Sequence, residues 1–382
     1  MNQISSTDAL RKACENLAKS EFIAVDTEFM RESTYWPELC LIQAAGGDEE
    51  VVIDPLAEGI DLSPFWDLLK NESILKVLHA PRQDMEIFVQ RLGSVPAPIF
   101  DTQTAAMALG LGDQIAYDAL VREFLDIHID KGSRFTDWSR RPLSDKQLSY
   151  ALSDVTHLRD LFPQLMARLE KQGRTAWAEA EMQAFYDAGL YDTKPEDAWR
   201  RLKLRKMKPS WLAALKTAAH WREAEARERN TPRNRIMKDE ALYAIAQSGP
   251  TSEDGLAQIR GVPKGFERSR AGKSLIEALK TAMSDPKAHA PEVEKRKPLP
   301  AGIGPTVELL KVLLRHVSEA RGVSPRMIAT VSDLEQIAAW DEPDVQALKG
   351  WRREVFGEEA LKLKRGETAL LIENGEVVTR PV

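Results

Sequence analysis

The spacing of apolar residues changes near residue 175. Before that point short apolar runs alternate with segments of helical periodicity; after it the helical spacing alone persists. Near the N-terminus, Leu10, Cys14 and Leu17 fall on one face of an amphipathic helix. FIAVDTEF (22–29) has the make-up of a buried strand. LCLIQAA (39–45), a Gly46-Gly47 turn and EVVIDP (50–55) predict its hairpin partners. A helix is expected around Pro64–Lys70, then an apolar strand over ILKVLHA (74–80). PRQDMEIFVQRLG (81–93) reads as a helix opened by proline and closed by glycine, and PIFDT (98–102) as a short strand running into another helix. Three antiparallel strands followed by helix–strand units predict a mixed α/β sheet with helices on both faces.

Two helical segments follow, separated by SDPKAHAPEVEKRKPLPAG (284–302), whose four prolines and few large apolar residues predict a linker. The segments match without a gap at an offset of 92 residues: Arg229/Arg321, Ile236/Ile328, Leu242/Leu334, Ile245/Ile337, Ala246/Ala338, Leu256/Leu348, Arg260/Arg352 and Gly265/Gly357. That register predicts a duplicated small helical domain. ALLIENGEVVT (369–379), with Asn374-Gly375 between two apolar runs, predicts a terminal hairpin.

At 382 residues the chain is expected to form two or three domains. No apolar run approaches the ~20 residues of a membrane helix, and the N-terminal stretch lacks a basic-then-apolar signal pattern. Cys14 and Cys40 have no CxxC spacing, which argues against a disulfide framework or structural zinc. A cytoplasmic protein is expected. The net charge of −6 argues weakly against nucleic acid, yet residues 200–235 hold twelve Lys and Arg against three acids. Such a surplus suits a phosphate-attracting patch, or equally a solvated helical face.

The strand FIAVDTEF carries Asp26 and Glu28. Residues two apart on a strand share a face ~7 Å apart, and two buried carboxylates that close repel. A hard divalent cation removes the conflict; an edge strand with its acids in water would as well. Asp84 falls in the first turn of a helix that follows an apolar strand, where α/β sheets gather ligand sites. In SDKQLSYALSDVTHL (144–158), Ser144 and Gln147 form a capping box, and Tyr150 and Asp154 are four apart on one helical face.

Taken together, DxE on a strand, Asp at a helix start and Y-x3-D on a later helix resemble the DEDDy exonucleases. VDTEFMRE (25–32), LHAPRQDMEIF (78–88) and FTDWSRRPLSDKQLSYALSDVTHL (135–158) resemble bacterial ribonuclease D, and the duplicated helical units resemble HRDC domains. The resemblance covers essentially the whole chain. It implies a ribonuclease H-like exonuclease domain over 1–175, a helical connector over 176–208, a first HRDC domain over 209–283, the Pro-rich linker over 284–302, a second HRDC-like domain over 303–366 and a hairpin tail over 367–382. It implies two divalent ions, Mg2+ or Mn2+, on Asp26, Glu28, Asp84 and Asp154, with Asp26 bridging both. One ion would acidify the attacking water and the other stabilise the leaving 3′ oxygen. Tyr150, with a reference pKa near ~10, is a poor base and would orient the water.

Substrate contacts are expected from Phe29 and Met30, placed to wedge under the terminal base, and from His79 as a structural or substrate-contact residue. Arg134 and Trp138 lie in the loop KGSRFTDWSRRP (131–142), whose mix of basic and aromatic groups suits a single-stranded end; plain packing of Trp138 is an equal expectation. Asp101 is expected to cap a helix. The reading is a 3′→5′ exoribonuclease that releases 5′-mononucleotides, with tRNA precursors carrying 3′ extensions as the substrate the family implies. It would act as a monomer without an obligate protein partner. The alternatives are a proofreading-type 3′→5′ DNA exonuclease and a catalytically silent RNA-binding scaffold.

Overall fold

The computed structural model describes residues 3–133, 136–293 and 297–382. The chain opens with β1 (Gln3–Ile4), a strand too short for the sequence to announce, and α1 (Thr7–Leu17), which buries Leu10, Ala13, Cys14 and Leu17. β2 (Phe22–Met30), β3 (Glu38–Gly46) and β4 (Glu49–Ile53) form an antiparallel meander. Then come α2 (Ser63–Lys70), β5 (Leu75–Leu78), α3 (Arg82–Leu92), β6 (Ile99–Asp101) and α4 (Thr102–Ala108). The six strands stand in the order β1-β4-β3-β2-β5-β6, with β2 antiparallel to β3 and parallel to β5.

One feature of the register positions the site. β2 pairs with β5 only from Phe22 to Ala24, while its pairing with β3 continues to Met30. Asp26 and Glu28 therefore lie past the end of β5, where the chain turns away into α3. That leaves a crevice at the carboxyl ends of the parallel strands.

Helices cover both faces. Ile23 and Val25 of β2 pack with α1, α2 and α3 through Leu10, Phe65, Met85 and Phe88. Ala24, on the face of Asp26, packs with Val155, Leu158 and Phe162. These last three belong to α6 (Asp145–Lys171), which follows α5 (Tyr117–Leu125) and starts at the Ser144/Gln147 capping box.

Beneath this sheet lies Lys76, fully buried, whose Nζ donates to the carbonyls of Asn71 at 2.9 Å, Ile74 at 2.8 Å and Ala97 at 2.5 Å. It ties the start of β5 to the loop ahead of β6. Lys76→Met keeps the volume but strands one buried and two part-buried acceptors, so stability should fall by about 1–3 kcal/mol, read as a lower midpoint in thermal unfolding.

Beyond α7 (Thr175–Met182) the chain is helical: α8 (Pro209–Glu228), α9 (Arg233–Ile236), α10 (Asp239–Ser248), α11 (Glu253–Ala257), α12 (Arg270–Ser284) and α13 (Pro286–His289). The stretch expected to be a bare linker thus begins with a helical turn, capped by Asp285. A second unit follows: α14 (Gly304–Arg321), α15 (Pro325–Ile328), α16 (Val331–Ala339), α17 (Gly350–Arg352) and α18 (Glu358–Arg365). α9 and α15 occupy positions 92 residues apart, and α10 and α16 start at the same offset. β7 (Thr368–Glu373) and β8 (Glu376–Pro381) close the chain as a hairpin with Asn374 and Gly375 both at positive φ.

The two helical units lean on different things. The first has its own core around Trp211, Leu242 and Leu275. The second shares a core with the α/β domain, where Leu310 and Ile328 join the cluster of α6, and Trp351 stacks on Trp177 with ring centres 4.5 Å apart. At that junction a Cβ on Gly110 would sit 2.2 Å from the Gly322 carbonyl, and Gly110 has φ +75°, so both space and backbone demand glycine. Arg174 clamps the seam, donating to the carbonyls of Ala108 at 2.8 Å and Gly322 at 2.7 Å. Among the described residues no helix is long and apolar enough to cross a membrane.

Candidate active site

Asp26, Glu28 and Asp154 each bring a carboxylate oxygen within 4.8 Å of the others. The first two come from β2 and the third from α6, which crosses the same face of the sheet. Asp84 approaches from the opposite layer. It sits in the first turn of α3, is buried, and accepts a short hydrogen bond from the Thr27 hydroxyl. Thr27 points away from the acids on its own strand, toward α3, and so fixes the fourth acid at the edge of the crevice.

The electrostatics are unfavourable as they stand. Burial and then the charges of Asp84, Asp154 and Glu28 push the Asp26 carboxyl well above the usual range. Burial raises Asp84 to about 6, against the opposing hydrogen bond from Thr27. The strongest charged neighbours of Asp26 are three further acids. This oxygen-only, anionic donor set fits hard divalent cations.

A stability consequence follows. Asp26 and Asp84 bind protons more tightly folded than unfolded, so the stability they contribute is complete only below about pH 4; that of Asp84 is lost as pH rises through about 6, and that of Asp26 is likewise lost as pH rises through its own raised folded pKa. Metal-free protein at pH 7 should therefore melt below Asp26→Asn. Added Mg2+ or Mn2+ should raise the wild-type midpoint and leave that of Asp26→Asn nearly unmoved. A thermal melt in chelator and in metal reads both.

A cavity of about 430 Å3 opens beside the acids, lined by Asp26, Tyr150 and Asp154 together with His79, Gln103 and Tyr117. Tyr150 stands one turn ahead of Asp154 on α6. The Tyr117 hydroxyl donates to the Asp154 main-chain carbonyl at 2.5 Å, pinning the turn that carries this acid. His79 is a wall of the cavity. Its Nε2 faces the Ile115 carbonyl at 3.2 Å and so carries the proton, while Nδ1 lies 3.0 Å from the Thr102 hydroxyl; burial holds the ring neutral. Asp101 caps α4 through the amides of Gln103 and Thr104, and it also binds the amide of Ala80, which stands at φ +51° on the cavity rim.

Several expected substrate contacts have other tasks. Trp138 is 2% exposed and packs with Leu143 and Leu148, its ring 6.2 Å from that of Tyr150. It braces Tyr150 from behind, because the loop folds back onto the β3–α6 face. Phe29 packs into the α1–α3 core on the face opposite the acids; Met30 shares the acids' side. Arg134 lies outside the described residues. Arg141 of the same loop is bound to Asp54 at 2.6 Å and to the Cys40 carbonyl. Five of the twelve cations in the basic run are also spent within the protein: Arg200, Arg222, Arg227, Arg229 and Arg233 pair with Asp197, Asp239, Asp192, Glu225 and Glu223. Thr27 and Tyr117 were not singled out by the sequence; an alternation argument marks Thr27 as facing the helix layer, but nothing marks Tyr117.

Comparison with known proteins gives this geometry a context. Residues 1–170 match the family model of 3′-5′ exonucleases, and residues 212–279 match that of the HRDC domain. The ribonuclease D of Nitrobacter hamburgensis is 52% identical over 99% of both chains. That of Granulibacter bethesdensis is 46% identical over 98% of this chain and 95% of its own. Among solved structures, Escherichia coli RNase D, described as an exoribonuclease involved in structured RNA processing, superposes with a TM-score of 0.80 at 32% identity. The match covers 96% of this chain and 99% of that one.

Proposed function

The chain belongs to the ribonuclease D family and is a 3′→5′ exoribonuclease; from that premise we propose that Asp26, Glu28, Asp84 and Asp154 hold two divalent ions, Mg2+ or Mn2+, and that Tyr150 positions the attacking water. The observation that carries this is the meeting of three carboxylates within 4.8 Å, with the fourth acid pressing on Asp26 from the other layer. Such ions, when bound, lower the pKa of the attacking water and stabilise charge on the leaving 3′ oxygen. The residues supply the rest. Asp26 feels the charges of Asp84, Asp154 and Glu28 alike and is the acid both ions would share. Tyr150 lines the cavity together with Asp26 and Asp154, which suits a hydroxyl that orients water. His79 and Tyr117 close the wall, and the Tyr117 hydroxyl keeps the turn of Asp154 in place.

The substrate proposed is a tRNA precursor with a 3′ extension, shortened one 5′-mononucleotide at a time by a monomer that needs no protein partner. In this division 1–175 is the nuclease, 176–208 a connector, 209–283 the first HRDC domain and 284–302 a linker. Residues 303–366 form a second HRDC-like domain, supported by the recurrence of helices at the 92-residue offset. To test the reading, a tRNA bearing extra 3′ nucleotides and RNA and DNA oligonucleotides of matched sequence are digested with Mg2+ and with chelator. Expected are stepwise shortening of the tRNA tail and preference for RNA, both abolished by chelator. Equal or faster digestion of DNA would favour a proofreading-type enzyme instead.

A further inference from the structure

We infer that the cavity between the nuclease and the first helical unit holds a backbone phosphate of the substrate strand, on the 5′ side of the cut, gripped by Arg82 and Arg201; this rests on the exoribonuclease reading above. The cavity, of about 570 Å3, is lined among others by Arg31, Arg82, Arg201 and Arg233 with Tyr35 and Trp36. It shares no lining residue with the catalytic cavity. Its wall nonetheless comes from the elements that carry the acids: Arg31 is three residues past Glu28 on the exit of β2, about 10 Å along the strand, and Arg82 is two residues ahead of Asp84 in the first turn of α3.

The charge count selects the two gripping residues. Arg31 is neutralised by Glu86 at 2.6 Å and Arg233 by Glu223 at 2.5 Å. Arg82 and Arg201 form no ion pair among the described residues. Arg201 donates to the neutral Thr193 hydroxyl at 3.1 Å, and partial burial with the nearby Arg233 charge depresses its guanidinium pKa. The wall around them is fixed. The Tyr35 hydroxyl is bound by Glu223 and Arg233, and Arg227 lies over the Trp36 ring at 4.7 Å. Two guanidinium groups without an ion pair among the described residues, in a cavity whose carboxylates Glu86 and Asp192 are already held by Arg31 and Arg227, suit an anion. A strand whose 3′ end occupies the catalytic cavity must carry its remaining phosphates out past these acids, and guanidinium–phosphate pairing is strong and geometrically matched.

The test is binding of a fluorescent oligoribonucleotide of about ten nucleotides, its 3′-terminal linkages made phosphorothioate to resist cleavage, to the full chain in Mg2+. The Arg82→Gln/Arg201→Gln double variant should bind about tenfold more weakly. Its affinity should also depend less steeply on salt, the log–log slope falling by about 0.7 for each phosphate no longer neutralised. Arg200→Gln removes a charge one residue away, but that guanidinium is already held by Asp197 at 2.8 Å. It should shift affinity by less than about twofold. Unchanged affinity and slope in the double variant, while wild type binds and digests RNA, would overturn this inference alone. So would an equal loss in Arg200→Gln. Wild type that neither binds nor digests RNA would overturn the exoribonuclease reading with it. Thermal melts of the variants within a degree or so of wild type would attribute the loss to binding, since both residues are exposed.

Discussion

Replacing Asp26 with alanine should lower kcat/KM for release of nucleotides from an RNA 3′ end by at least about 10^3-fold at saturating Mg2+, a barrier increase of about 4 kcal/mol or more. Asp26 is the acid on which the charges of Asp84, Asp154 and Glu28 all press. Its loss disrupts both halves of the donor set at once. The fold should survive, because removing one of four mutually repelling buried carboxylates relieves strain in the metal-free protein. Tyr150→Phe leaves every acid in place and should cost less, about 10^2-fold in kcat with little change in KM, as expected for a group that orients water. A single-turnover assay on 3′-labelled RNA separates the two.

The second large effect concerns the joint between the nuclease and the first helical unit. Glu223 is 1% exposed, and both its oxygens are engaged: Arg233 reaches one at 2.5 Å through Nε and the other at 2.5 Å through Nη2, and the Tyr35 hydroxyl donates to the latter as well. Tyr35 lies in the segment between β2 and β3, seven residues past Glu28. Glu223→Ala leaves Arg233 half-enclosed without its counter-charge. Breaking one partner of a buried pair costs about 3–5 kcal/mol; Arg233 keeps some access to water, so the lower end applies. The expected result is a melting midpoint several degrees lower, with Glu223→Gln intermediate because its single amide oxygen keeps only the hydrogen bonds to one side and no charge. A midpoint unchanged in Glu223→Ala would mean that this network holds nothing together.

How much of this was legible beforehand differs from residue to residue. Asp26 and Glu28 declared themselves by parity on an apolar strand, and Tyr150 and Asp154 by helical spacing behind a capping box. These are local rules, and local rules place side chains on faces. Asp84 was harder. Its position at a helix start has a bland explanation in the helix dipole, and only the pairing of β2 beyond the end of β5 shows why a first-turn acid reaches the crevice. Tyr117 escaped altogether because its bond to Asp154 joins two helices whose approach no spacing encodes.

Trp138 and the basic run each left two readings open for a common reason, and for Trp138 the structure bears out plain packing. An aromatic among arginines, or a stretch rich in them, looks like a surface for nucleic acid until partners distant in sequence are known. Asp54 lies 87 residues from Arg141, and Asp192 lies 35 from Arg227. Five of the twelve cations of residues 200–235 are therefore held in internal pairs, and the remaining ones are found by elimination once the pairs are drawn. The fixed offset marked two helical segments, and short helices recur at it in both, but their unequal packing was not legible, since both share the same apolar periodicity. Only packing shows that the second one continues the nuclease core through Trp177 and Trp351.

The most direct measurement is anomalous scattering from crystals grown with Mn2+ and a 5′-mononucleotide. Two manganese peaks are expected, ~3.5–4 Å apart, one against oxygens of Asp26, Glu28 and Asp154 and the other between Asp26 and Asp84, with the nucleotide phosphate touching both. Manganese found elsewhere, or no peak at these four acids with the nucleotide in place, would contradict the account.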